Sequence, residues 1–170
     1  MEFRELGRTR LTVGAIGLGT EYLHGQPRET VTAVVAEATE RGVNYIDIIF
    51  SFSQYLDNLG AALAKRRDAV ILALHLGCAE TDGQYRRSRD VEECRRNFDD
   101  MLRRLRTDHA DVIVVQNCDE QDDYDGSWAR EAYWSWRSVC DRRGKGGSWA
   151  SAATACRCRR GRSRVGATMC

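Results

Sequence analysis

Residues 42–63 read GVNYIDIIFSFSQYLDNLGAAL, and this stretch decides the fold. Its first part, residues 44–49, is a short apolar run of the kind that forms a buried strand. Its second part places Leu56, Leu59 and Leu63 at helical spacing, which predicts a helix with one apolar face. A buried strand followed at once by such a helix is one βα unit of an α/β fold.

The same alternation continues on both sides of this unit. The pattern predicts an N-terminal hairpin over residues 3–13, further strands at residues 15–20, 69–76 and 111–115, a helix after Pro27, and a long helix with Ser88 as its N-cap. Strands that are apolar on both faces and separated by amphipathic helices indicate a parallel sheet covered by helices. Four such units fit an open doubly wound domain or half of a (β/α)8 barrel, and periodicity alone leaves both open.

Charge and composition divide the chain of 170 residues into two parts. Residues 126–170 hold ten Lys or Arg and two acidic residues, a net charge of +8, whereas residues 1–125 hold sixteen and twenty-three, a net charge of −7. The second part contains all four Trp but no Leu, Ile or Phe, so it has little apolar surface to bury on folding. We therefore expect one folded domain over residues 1–125 and an unstructured tail over residues 126–170.

Several classes of protein are excluded by the same composition. No apolar run approaches the roughly 18 to 20 residues that span a bilayer, and the first residues lack the apolar core of a signal peptide. The odd number of Cys, seven, shows no disulfide framework. A reduced, cytoplasmic chain with no membrane partner is expected.

The order of several motifs resembles the aldo-keto reductase family. A strand ending in Gly17-Leu18-Gly19-Thr20 follows the hairpin, and residues 47–63 follow the register of the family pattern D-T-A-x-x-Y-G-x-S-E-x-x-L-G-x-A-L, with Asp47 at its start and Leu59-Gly60-Ala61-Ala62-Leu63 at its end. Residues 102–112 resemble the family passage S-L-x-R-L-x-x-D-Y-x-D. The resemblance covers residues 1 to about 118. It implies the first four βα units of a (β/α)8 barrel and NAD(P)H-dependent interconversion of a carbonyl and an alcohol.

The family's four catalytic positions are matched at one residue only. Asp47 matches the catalytic aspartate, whereas Phe52 stands at the tyrosine position, His75 at the lysine position and Gln116 at the histidine position. Tyr55, three residues after the tyrosine position, is the one candidate for a substitute acid. A phenylalanine ring cannot donate a proton to a developing alkoxide, so we expect weak activity or none.

The resemblance also implies the ligands of the site. Thr20, Asp47 and Asn117 are the expected contacts of NADP(H) or NAD(H), and the expected substrate is a small-molecule carbonyl or alcohol. Asp47 without its lysine could equally well be a structural residue that braces the mouth of the barrel. No metal site is expected, because the acidic run 119–125 lacks the glycine and the spacing of a calcium loop and a single C-x-C at residues 156–158 is a weak signal.

Three interpretations of residues 126–170 remain open. The abundance of Trp, Arg, Cys and Gly is typical of GC-rich codons translated in the wrong frame, and another frame would then continue for roughly 200 residues to complete a barrel. A basic tail that contacts nucleic acid and a Trp-rich segment that binds a partner are the alternatives, and nucleic acid is not the partner that we expect. A barrel of four strands would leave two apolar strand edges open, which predicts self-association. A non-catalytic binding module is the alternative function.

Overall fold

The computed structural model describes residues 1–7 and 9–116, which form an α/β unit. The elements in chain order are β1 (Phe3–Glu5), β2 (Thr12–Gly14), β3 (Leu18–Gly19), α1 (Arg28–Glu40), β4 (Tyr45–Ile48), α2 (Ser53–Leu63), β5 (Ile71–Leu76), β6 (Cys78–Thr81), β7 (Gln84–Arg87), α3 (Val91–Arg104) and β8 (Val112–Val115). The predictions for residues 117–170, including Asn117 and the tail, lie outside the described residues.

The centre of the fold is a parallel sheet of four strands in the order β3-β4-β5-β8. Helices α1, α2 and α3 each lie in the connection between two neighbouring strands of this sheet. The register pairs Gly19 with Asp47, Asp47 with Ala73, and His75 with Val114. Each of the four predicted strands of the sheet is therefore present, in chain order and parallel, as in the first half of a (β/α)8 barrel.

The two faces of the sheet are covered to different extents. The face toward the helices carries Ile46, Ile48, Leu72 and Leu74, all fully buried in the main core with the apolar stripes of α1, α2 and α3. The opposite face, the inner face, alternates with these residues. The N-terminal hairpin packs on it through two leucines; Ala73 and Val112 are buried there, and the remaining apolar residues of this face are partly buried.

The hairpin β1–β2 forms as predicted, but the first strand of the sheet is shorter than expected. We expected a strand over residues 15–20, whereas β3 contains only Leu18 and Gly19. Ala15 instead donates its amide to the carbonyl of Glu2, 2.8 Å away, and Gly14 donates to Asn44 Oδ1 at 2.7 Å. The hairpin thus takes the backbone groups that a longer strand would have used.

The long helix α3 begins two residues later than predicted, because its N-cap is Asp90 rather than Ser88. Asp90 Oδ1 accepts a hydrogen bond from the amide of Glu93 at 2.7 Å. Ser88 is buried, and its hydroxyl donates to the carboxylate of Glu93 instead. Since both Ser and Asp are good caps, the sequence pattern did not distinguish them.

A second antiparallel hairpin, β6–β7, was not predicted. Its turn contains Asp82 and Gly83 with φ of 52° and 73°, the left-handed conformation of both central residues in a type I′ turn. The Asp-Gly pair was the signal for this turn. It was missed because only part of the flanking sequence is apolar, with Arg86 and Arg87 in the second strand.

Candidate active site

The predicted site residues lie at the carboxyl ends of the four parallel strands. Thr20 follows β3, Asp47 lies near the end of β4, His75 near the end of β5, and Gln116 follows β8. This is the end of the sheet at which the loops of (β/α)8 barrels carry their active sites. The arrangement brings four positions that are far apart in sequence to one edge.

Asp47 and His75 are in direct contact. His75 Nε2 lies 2.9 Å from Asp47 Oδ1, and because a carboxylate only accepts, Nε2 carries the proton in this bond. The His75 side chain is 13% exposed and that of Asp47 36% exposed, so the carboxylate is the more accessible of the two groups. His75 Nδ1 is buried and has no hydrogen-bond partner among the described residues.

Tyr55 is buried and hydrogen-bonded to Thr20. The Thr20 hydroxyl donates to the main-chain oxygen of Asp47 at 2.7 Å, so its single proton is used and the Tyr55 hydroxyl donates to Thr20 Oγ1. Tyr55 is 2% exposed, and burial, together with the nearby Asp47 carboxylate, raises the pKa of its phenol well above the usual range. The role of Tyr55 as a substitute acid stays a prediction, but its burial and its hydrogen bond to Thr20 argue against that role.

Phe52 is the N-cap residue that precedes α2. Its ring belongs to an aromatic cluster with His24 and Phe50. His24 stacks on Phe52 with ring centroids 4.2 Å apart and an interplanar angle of 29°. Phe50 makes edge-to-face contacts with Phe52 and with Tyr55. The residue predicted at the family's tyrosine position is therefore a half-buried aromatic ring without a hydroxyl group.

Gln116 is hydrogen-bonded to Tyr85, a residue that the sequence analysis did not select. The hydroxyl of Tyr85, on β7, donates to Gln116 Oε1, and the Tyr85 ring lies edge-to-face on Phe50 with centroids 5.1 Å apart. Burial and the contact with Cys78 raise the pKa of the Tyr85 phenol. Recognising the β6–β7 hairpin would have placed Tyr85 near the strand ends.

The structure describes two of the three residues that the resemblance implies as contacts of a nicotinamide cofactor. Of the three residues that the resemblance implies, the Thr20 side chain is fully buried and its hydroxyl is used twice within the fold, while Asn117 lies outside the described residues. Asp47 alone presents a partly exposed polar group. Among residues 1–7 and 9–116, no cluster of His, Cys, Asp or Glu could hold a metal ion.

The two described cysteines, Cys78 and Cys94, are buried thiols. Burial raises the pKa of Cys94, so its reactive thiolate form is suppressed at neutral pH. None of the described helices is long and apolar enough to cross a membrane.

Comparison with known proteins matches the chain to one protein family. The sequence pattern of the aldo/keto reductase family matches residues 10–142, which extends past residue 118 and past the predicted domain boundary at residue 125. Two proteins of Bacillus subtilis (strain 168) are similar: the uncharacterized oxidoreductase YqkF, 28% identical over 129 residues, and the uncharacterized oxidoreductase YrpG, 26% identical over 142 residues. These matches cover 74% and 75% of this chain.

Solved structures agree with the sequence comparison. The aldo-keto reductase AKR11C1 from Bacillus halodurans, in its holo form, superposes with a TM-score of 0.71 and 26% identity over 82% of this chain and 47% of that one. The chain spans 42% and 44% of the two curated relatives, less than half their length. The predicted partial barrel is confirmed, and the chain belongs to the aldo/keto reductase family.

Proposed function

We propose that the chain is an aldo/keto-reductase-type oxidoreductase unit with a degraded site, which has weak activity or none. The parent reaction is the NAD(P)H-dependent interconversion of a small-molecule carbonyl and an alcohol. The observation that carries the proposal is the contact between Asp47 and His75 at the strand ends, beside a phenylalanine where a proton donor is needed. The aspartate is retained, but its partners for proton transfer are not.

Reduction of a carbonyl requires a proton for the oxygen as it becomes an alkoxide. Phe52 has no proton to give, and the proton of Tyr55 is committed to Thr20 inside the fold. The proton on His75 Nε2 is shared with Asp47. None of these groups presents a free donor, so the step that the family carries out with a phenol has no evident substitute.

The experiment is an assay of the purified 170-residue chain with NADPH or NADH and a set of aldehydes. General acid catalysis contributes about 10² to 10⁴ in rate, so we expect no measurable oxidation of the nicotinamide. The double change Phe52→Tyr and His75→Lys is expected not to restore turnover, because the cofactor contacts are incomplete as well. Robust turnover by the unmodified chain contradicts the proposal, and Tyr55→Phe and His75→Ala would then locate its proton donor.

A non-catalytic binding module is the second candidate. The aromatic cluster of His24, Phe50, Phe52 and Tyr85 beside the accessible Asp47 carboxylate favours it, because such rings offer contact area to a planar ligand without needing a reaction. Quenching of the chain's Trp and Tyr fluorescence by NADPH, compared between the unmodified chain and Asp47→Asn, separates the candidates. Saturable quenching without turnover supports binding alone.

The organisation of the whole chain is part of the proposal. We place the partial barrel at residues 1–125 and treat residues 126–170 as out of frame or without fixed structure, on the composition of that stretch. The proposed partners are a small-molecule carbonyl or alcohol and a second copy of the chain, and the proposed location is the cytoplasm. The DNA sequence around codon 126 tests the frame: early stop codons in both other frames would favour a genuine basic tail.

A further inference from the structure

Three polar side chains lie on the inner face of the sheet at its carboxyl-terminal end. Residues two apart on a strand share a face. Asp47, His75 and Gln116 each come two residues after an apolar residue of the inner face, which is Tyr45, Ala73 or Val114 respectively. Asp47 and His75 are hydrogen-bonded to each other. Gln116 is therefore the polar side chain of this row that has neither of the other two as its partner.

The main chain of Gln116 is fixed by two hydrogen bonds. Its amide donates to the carbonyl of Leu76 at 2.8 Å, which continues the ladder between β5 and β8. Its carbonyl accepts a hydrogen bond from Arg89 Nη2 at 3.3 Å. Only the rotations of the side chain are left to be set by other contacts, including the half-turn that exchanges the amide oxygen and nitrogen.

The hydroxyl of Tyr85 sets this last rotation. It donates to Gln116 Oε1 and is also in hydrogen-bonding contact with the Cys78 thiol. Because a carbonyl oxygen is a better acceptor than sulfur, the phenolic proton goes to Gln116. An amide whose oxygen is held in this way turns its NH2 group away from Tyr85. Nε2 of Gln116 makes no hydrogen bond within residues 1–7 and 9–116, so its two donors are unused there.

The β6–β7 hairpin holds Tyr85 in place. The amide of Ser88 donates to the carbonyl of Gly77 at 2.9 Å and closes the base of the hairpin. The ring of Tyr85 packs edge-to-face on Phe50, which follows β4, with centroids 5.1 Å apart. Gln116 follows β8, and β5 lies between β4 and β8 in the sheet. Tyr85 therefore bridges the end of β5, with its ring fixed on one side and its hydroxyl on the other.

We propose that Tyr85 is a positioning residue, which holds the Gln116 amide so that Nε2 offers its hydrogen-bond donors to the carbonyl oxygen of a small-molecule ligand. The inference rests on the carbonyl partner of the proposed function and adds the residue that orients the group recognising it. With Oε1 occupied by Tyr85, Gln116 acts only as a donor, which selects an acceptor such as C=O over an ammonium group. The amide keeps its protons when it donates, so it binds a carbonyl without reducing it.

The test observes the carbonyl group of a bound probe. Benzaldehyde labelled with ¹³C at its carbonyl is titrated into the 170-residue chain, and its C=O stretch is followed by difference infrared spectroscopy. Donation to the oxygen weakens the C=O bond, so bound benzaldehyde should show a band shifted to lower frequency. Tyr85→Phe keeps the ring and frees the amide to turn, which should reduce this shift and weaken binding by about 2- to 10-fold, the range of one hydrogen bond. Gln116→Glu still accepts the phenolic proton but has no donor, so the shifted band should be lost.

A double-mutant cycle separates positioning from a structural role. Because Tyr85 acts through Gln116, Tyr85→Phe should change neither the band nor the affinity when Gln116 is already replaced by alanine. Tyr45→Phe is the matched control, since it removes a hydroxyl from the same face of the sheet at the first residue of β4. It should leave the shifted band in place.

The side-chain amide resonances of Gln116 in the ¹⁵N-labelled chain give a readout that needs no ligand. They should move in Tyr85→Phe and stay in place in Tyr45→Phe. Resonances that do not move in Tyr85→Phe overturn the inference, as does a benzaldehyde band that is the same in Tyr85→Phe or Gln116→Glu as in the unmodified chain. If Gln116 responds to Tyr85→Phe but no form of the chain binds benzaldehyde, the carbonyl partner of the proposed function is wrong, and the inference is overturned with it.

Discussion

Gly60→Ala tests whether the close approach of α2 and α3 holds the fold together. Gly60 is buried in α2, and a Cβ atom added there would lie 2.1 Å from the main-chain oxygen of Arg104, at the end of α3. Ordinary contact begins at 3.4 Å, so the helices would have to separate locally by about 1.3 Å. The obstacle is backbone, and therefore no side-chain rotation relieves it.

The magnitude follows from two opposing effects. Overpacking of a core typically costs about 1 to 3 kcal/mol. Alanine gains roughly 1 kcal/mol over glycine inside a helix. Because the contact is far inside the normal limit, we expect the upper part of the overpacking range, and a net loss of about 2 kcal/mol in the free energy of unfolding. For a unit of this size that loss lowers the Tm by roughly 8 to 16 °C.

Urea unfolding followed by far-ultraviolet circular dichroism measures the effect. Gly19→Ala is the matched control, because an added Cβ at Gly19 meets no atom within 4 Å. The control should unfold within roughly 0.5 kcal/mol of the unmodified chain. If Gly60→Ala is as stable as the control, the helices do not approach each other as the structure has them.

Two further predictions concern polar contacts. Arg67 donates to Thr107, to two main-chain oxygens and to Asp111 Oδ2 at 2.9 Å. Arg67→Ala removes the charged partner of the largely buried Asp111 carboxylate, which keeps the Leu72 amide and His109, and should cost about 2 kcal/mol in the same urea assay; unchanged stability contradicts this. Hydrogen bonds from Ser88 and Arg86 lower the pKa of Glu93, so the stability that Glu93 contributes is present above its ordinary pKa of 4.5 and lost as the pH falls through the lowered value. Ser88→Ala should therefore shrink the loss of stability between pH 6 and pH 3, and an equal loss in both forms would contradict the assignment.

The fold could be predicted because each element had a separate local signal that agreed with its neighbours. The strand at residues 44–49 and the leucines of α2 were enough for one βα unit, and the order of motifs extended it to a partial barrel. The boundaries were less predictable where two groups compete for the same hydrogen bonds. The amide of Ala15 could have joined a strand ladder or the hairpin, and only the three-dimensional structure shows that it bonds to Glu2.

The site could be predicted as a set of positions but not as a set of contacts. The strand ends placed Asp47 and His75 at one edge, yet which groups face each other depends on side-chain directions that the sequence pattern does not contain. The bond between Tyr85 and Gln116 depends on the β6–β7 hairpin, which carries Tyr85 from another part of the chain. His24 is exposed, and no motif in the sequence selects it, but it stacks on Phe52.

The polar groups of the site are joined in pairs, and this explains why restoring single residues is not expected to restore chemistry. Tyr55 is bonded to Thr20, and His75 is bonded to Asp47. In a working site, donors are oriented toward the place where charge develops in the substrate, and their partners hold them there. In this chain, each of these groups is instead hydrogen-bonded to another side chain of the site. A carbonyl oxygen that approaches these groups must therefore break an existing hydrogen bond before it gains one, and the exposed oxygen of Asp47, which only accepts as a carboxylate, is the group least able to stabilise it.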